Sequence, residues 1–159
     1  VADEMTDSPL HSLAWGRVGD CYLQLGNLGQ AAAAYRAVTE LPGTDVTTRS
    51  QAGLGLARVL EEQSELAGET EEREELLQQS FVQCMDIVFG RNLRPASEKM
   101  VPFWVKEAGL MAGHLAVRLG LAEQERSVYS RLAKELPDMP LWQAKLNALQ
   151  TGPEAPKAP

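Results

Sequence analysis

The chain has 159 residues, 44% of them hydrophobic, which suits one folded domain with a sizeable core. Its formal net charge is -7 and its pI about 4.9, so it repels phosphate backbones and anionic lipid surfaces, and no local basic patch offsets this. Nucleic acid is therefore not an expected partner. Membrane insertion is not expected either, because no apolar run reaches the ~20 residues that span a bilayer.

Residues 1–7 are polar and expected to fray. Ser8-Pro9 reads as a helix start, with serine as cap and proline in the first turn, where its missing N–H costs nothing. That first helix runs to about Leu25 and ends at Gly26-Asn27. A second helix, about 28–41, contains the run Ala31–Ala34, which favours helix and lets a neighbouring backbone come close. Leu41-Pro42-Gly43 closes it. Thr44 or Asp45 can cap a third helix that continues to about Gln63, carrying Leu54, Leu56, Val59 and Leu60. The glutamate-rich stretch from Ser64 to Glu75, broken by Gly68, is expected to be a solvated face or a helix N-terminus, where acids favour the dipole.

A fourth helix bears Leu76, Leu77, Phe81, Val82, Cys84, Met85, Ile87 and Val88 and stops at Gly90; its wide apolar arc predicts burial. Residues 91–99 form a loop with Arg94-Pro95 at its middle. Pro102 opens a fifth helix to Leu119, Gly120 breaks it, a sixth covers about 121–136, and a short seventh covers about 140–149. The tail 151–159, TGPEAPKAP, is expected to be disordered. No stretch alternates with period two, so the fold class is all-α, a single domain over 1–150. Cys21 and Cys84 fall at positions that look internal, where a thiol packs as a small hydrophobe; this is preferred to a disulfide or redox role.

The chain repeats itself. Gly26 precedes Tyr35 by the same interval that separates Gly120 from Tyr129, and each tyrosine is followed by Glu-Leu-Pro, at 40–42 and 135–137. Gly19 and Gly113 stand at one common interval before those tyrosines. The first unit reads Trp15, Val18, Gly19, Tyr22, Gly26, Ala31, Tyr35, Pro42; the third reads Ala112, Gly113, Ala116, Gly120, Tyr129, Pro137, with Glu125 in place of an alanine. This resembles the tetratricopeptide repeat (TPR) family. The middle unit is degenerate: Leu56, Ala57 and Leu60 stand for its first helix and Phe81 and Cys84 for its second, and the extra length implies longer helices or a longer turn near Gly68.

The resemblance implies antiparallel hairpins of about 9–43, 44–90 and 101–137, stacked as a right-handed TPR-like α-solenoid, with the helix at 140–149 as C-terminal cap. The physical content does not depend on the name. Gly19, Ala31, Ala34, Gly113 and Ala116 are small where helices must meet, with Trp15, Tyr22 and Tyr35 filling the space beside them, and one hairpin cannot bury its apolar face alone.

Chemistry-bearing residues are sparse. His11 lies in a first turn, and His114 has no His, Cys, Asp or Glu at 117 or 118 to complete a metal pair. The run GLGLAR at 53–58 follows no strand and reads as helix rather than phosphate cradle. No serine or cysteine has a histidine base set up by motif, so catalysis, cofactors and metals are not expected. What remains is surface. By the resemblance, the first helix of each pair lines a groove for a peptide or partner helix, which assigns Arg17, Asp20 and Gln24, then Arg58 and Glu62, then His114 and Arg118 as partner-binding residues. The exposed pair Phe103-Trp104 offers a second surface, with packing on Phe89 or the linker as the preferred reading.

The expected function is a non-catalytic protein–protein interaction scaffold, the C-terminal part of a larger bacterial repeat protein, with a lean to the periplasm or cell envelope and the cytoplasm left open. The alternative is structural self-association as a homodimer.

Overall fold

The computed structural model describes residues 9–94 and 97–151. It contains seven helices, and no strand occurs among the described residues: α1 Pro9–Gln24, α2 Leu28–Glu40, α3 Val46–Leu66, α4 Thr70–Val88, α5 Pro102–Arg118, α6 Ala122–Glu135 and α7 Pro140–Thr151. Each helix packs on its neighbours in chain order, α3 also touches α1 and α5, and α4 touches α6. The result is a solenoid-like stack in which α1, α3 and α5 lie side by side.

The punctuation behaves as glycine chemistry requires. Gly26, Gly43, Gly90 and Gly120 all adopt positive φ, at 71°, 76°, 69° and 68°, and three of them directly follow a helix or its cap. Asp45 caps α3: its carboxylate accepts from the Thr48 amide at 3.0 Å and the Thr48 hydroxyl at 2.6 Å. Burial opposes ionisation of this carboxyl, but the Thr48 hydroxyl and amide bonds outweigh it and hold the pKa below the ordinary value.

The spine of the stack is α3. Leu56, Val59, Leu60 and Ala52 face a first core with Ala31, Tyr35 and Val38 of α2. Leu54 and Ala57 face a second with Phe81, Cys84 and Val88 of α4, Val105 and Ala112 of α5, and Tyr129 and Leu132 of α6. A helix apolar on two faces must be covered on two sides, and α3 is, by α2 on one and α4 and α5 on the other. The extra residues went into the helices, since α3 and α4 have 21 and 19 residues and only 67–69 join them. Glu71 and Glu72 occupy the first turn of α4. The cap also forms: Trp142 of α7 is fully buried, its ring stacked on Tyr129 at 6.4 Å.

Small residues sit at the closest approaches. A Cβ added to Gly19 would lie 2.6 Å from Tyr35, and Gly113 stands in the same relation to Tyr129. Ala31, Ala34, Ala112 and Ala116 are all buried.

Several expectations are corrected. Cys21 is exposed, not internal, because no other helix among the described residues covers its side of α1; Cys84 is buried. Trp15 is exposed and its Nε1 donates to His11 Nε2 at 2.8 Å, so it does not fill the hairpin interior; Tyr22 is half-buried. Phe103 stays 55% exposed, edge-on to Trp104, and does not pack on Phe89, whose ring is approached by the guanidinium groups of Arg91 and Arg131 instead. Within α4, Val82 is exposed. The Ser8 cap, the frayed start, Pro95 and tail residues 152–159 lie outside the described residues, and Thr151 ends α7 rather than beginning a tail.

Candidate functional site: a cleft across α1, α3 and α5

The site is built around one ring. Tyr35 projects from α2 between α1 and α3, where two helix-interior glycines make room: its ring meets Gly19 on one side and Gly55 on the other, and a Cβ on Gly55 would lie 2.5 Å from Cζ. Mid-helix glycine costs about 1 kcal/mol against alanine, so its use at both positions marks a packing requirement. The Tyr35 hydroxyl donates to Asp20 Oδ1 at 2.7 Å. Burial first, then that bond to a carboxylate, push the Tyr35 pKa well above the ordinary phenol value, while Arg58 pulls it partly back. The phenol is therefore a fixed hydrogen-bond donor that orients Asp20.

Above this floor is an open cleft of about 460 Å³, lined by Arg17, Asp20, Cys21 and Gln24 of α1, Gln51, Leu54 and Arg58 of α3, and Trp104 of α5. Arg17 pairs with Asp20 at 3.3 Å. Arg58 is exposed and takes part in none of the ion pairs among the described residues. The cleft so combines one uncommitted guanidinium, two side-chain amides and the half-buried indole of Trp104, in a chain of net charge -7. Arginine beside an aromatic ring is a donor set that holds carboxylates and backbone carbonyls while an apolar side chain packs alongside.

Four of the seven residues assigned by pattern thus come together: Arg17, Asp20, Gln24 and Arg58. The other three do not join them. Arg118 pairs with Glu61 at 2.9 Å and with Glu65, and His114 Nε2 lies 3.5 Å from Glu61. These pairs zip α5 to α3 further along. Glu62 is exposed outside the cleft lining. Gln51 and Gly55 were not assigned from the sequence, although the glycine at 55 in a strongly helical run was a readable signal, and Trp104 was read with Phe103 as a separate second surface rather than as part of this cleft.

A second cluster lies at the opposite side of α3. Arg49 is only 4% exposed. Its guanidinium donates to the carbonyls of Thr44 and of Asn92, the latter at 3.0 Å, and pairs with Glu98. Arg94 donates to the carbonyls of Leu41, at 2.7 Å, and Thr39, and its amide donates to Glu98 at 2.9 Å. The Arg94 amide bond, with the Arg49 bond behind it, holds the Glu98 carboxyl below the usual carboxylate range. This network straps the segment after α4 to the α2–α3 junction. Its arginines are spent on backbone carbonyls, which makes it structural.

Among the described residues no group of three or more His, Cys, Asp or Glu could hold a metal ion, and no helix is long and apolar enough to cross a membrane. No family model matches the chain, and no curated protein matches it.

Proposed function

We propose that this chain is a non-catalytic interaction module of degenerate tetratricopeptide type, which holds a peptide or helical segment of a partner protein in the cleft across α1, α3 and α5. The observation that carries the reading is the convergence of Arg17, Asp20, Gln24 and Arg58 on one open cleft floored by Tyr35 and flanked by Trp104. A buried, hydrogen-bonded tyrosine between two glycines fixes the helices that present these groups, so the surface is preorganised and little ordering entropy is lost on binding. The exposed Arg58 supplies charge, and Trp104 with Leu54 supplies apolar contact. The Tyr35 phenol of this cleft is held protonated and hydrogen-bonded to Asp20, which suits a structural rather than an acid–base role.

The test is selection from a random displayed peptide library on the wild-type chain, followed by counter-binding to Arg58→Glu and Trp104→Ala. Selected peptides are expected to lose about tenfold or more in affinity for each variant. Peptides retained equally by both would place the binding surface elsewhere.

A further inference from the structure

The cleft has a sign. Of the charged side chains that line it, Asp20 and Arg17 are spent on each other and on the floor. One oxygen of Asp20 accepts from the Tyr35 hydroxyl at 2.7 Å and the other from Arg17 at 3.3 Å. The lining charge left over is Arg58, exposed and in none of the ion pairs among the described residues. Glu61, one turn further along α3, does not neutralise it, because Arg118 holds that carboxylate at 2.9 Å. The cleft is therefore a positive point in a chain of net charge -7.

The apolar part of the cleft stands at a fixed step from that charge. Leu54 and Arg58 share one face of α3, a single turn or about 6 Å apart along its axis. Trp104 belongs to the same end as Leu54. His114 stands against Glu61 and Arg118 against Glu65, so α5 runs parallel to α3, and ten residues before His114 puts Trp104 level with Gln51. Gln24 of α1 and Gln51 of α3 add amides from two helices, each able to donate and accept.

We infer that the partner segment is acidic and extended, with an Asp or Glu carboxylate on Arg58 and a large apolar side chain two residues away against Trp104 and Leu54. This rests on the cleft reading above and adds the chemistry of the partner. Residues i and i+2 of an extended chain project on one side about 6.7 Å apart, close to the step from Leu54 to Arg58. An extended backbone also leaves N–H and C=O groups for the two glutamines, whereas a helix satisfies its own. The cleft is open, so the chain passes through it and the carboxylate is a side chain within the segment rather than a chain terminus. A guanidinium with no acid of its own selects for that carboxylate and against a lysine or arginine in its place.

The test uses a random displayed peptide library whose C-terminus is fused to its carrier, so that only side-chain carboxylates are offered. Peptides selected on wild type are expected to carry Asp or Glu two positions from Phe, Trp, Leu or Met. Re-selection on Arg58→Glu is expected to replace that acid by Lys or Arg. Arg36→Glu, at an exposed position of α2 outside the cleft, changes the net charge equally and is expected to leave the selected pattern as it was. On the best peptide, synthesised with both ends blocked, changing the acid to its amide is expected to cost about tenfold or more in affinity on wild type and less than about twofold on Arg58→Ala. Peptides without an acid at that spacing, a pattern that Arg36→Glu alters as much as Arg58→Glu does, or an equal loss on wild type and Arg58→Ala overturns the acidic segment. Where Trp104→Ala still weakens such peptides, the cleft reading survives. Peptides indifferent to both Arg58 and Trp104, or no selected peptide at all, overturn the cleft reading and this inference with it.

Discussion

Gly55→Ala puts the packing argument at risk most directly. Alanine is the better helix former, so propensity alone predicts a gain of about 1 kcal/mol at a mid-helix position. The structure predicts the opposite sign. The new Cβ would stand 2.5 Å from Cζ, 2.6 Å from Cε1 and 2.9 Å from Cε2 of Tyr35. The ring cannot retreat, because Gly19 already meets its other side and its hydroxyl is bound to Asp20. Overpacking of this kind costs about 1–3 kcal/mol, and a ring held on both sides belongs near the upper end. The net effect is a loss of about 2 kcal/mol, which at a urea slope of about 2 kcal/mol/M lowers the midpoint by about 1 M. Gly16→Ala is the control: it too is mid-helix, but an added Cβ meets nothing within 4 Å, so the midpoint should rise by about 0.5 M. Adding Tyr35→Leu to Gly55→Ala should recover part of the clash, as a coupling of about 1 kcal/mol. If Gly55→Ala raised the midpoint as Gly16→Ala does, the wedge between α1 and α3 would not exist.

Other outcomes follow from the same structure. Arg49→Met removes the donor shared by the Thr44 and Asn92 carbonyls and the Glu98 carboxylate; stability should fall by about 3 kcal/mol and trypsin should cut faster after Arg91. Trp142→Ala should cost about 3–5 kcal/mol by uncapping the stack, read as a lower urea midpoint with the helical signal of α1–α4 largely kept. The Tyr35 pKa is raised, so its contribution is fully present below the unfolded phenol value near ~10 and is lost as pH rises through the folded value. Stability should therefore fall at alkaline pH more steeply in wild type than in Tyr35→Phe, as the urea midpoint measured against pH would show.

The fold was legible wherever its cause was local. Glycine exits, the Asp45 cap and the Gly–Tyr interval of each hairpin depend on residues within one unit, and Gly19 and Gly113 are found against the tyrosines their spacing predicted. What the sequence hid was longer-range or a matter of direction. Gly55 serves the tyrosine of the preceding hairpin, so no spacing inside its own unit reveals it. The Arg49 strap joins residues more than forty apart, and a buried arginine looks in sequence like any other. Residue type and place in the repeat do not say which side of α1 faces the core; hence Cys21 and Trp15 were placed inside and are outside. The candidate site divided for a similar reason. Position along the repeat put His114 and Arg118 on the helices of the cleft, but only the packing reveals Glu61 and Glu65 opposite them, and those acids take up the positive charge.

The most direct test of the proposed function is a backbone amide chemical-shift map of the labelled chain titrated with a library-selected peptide. The largest shifts should cluster on residues 17–24, 51–58 and 104, the three helices that share the cleft. Shifts concentrated on α6 and α7, with those residues unmoved, would contradict the account.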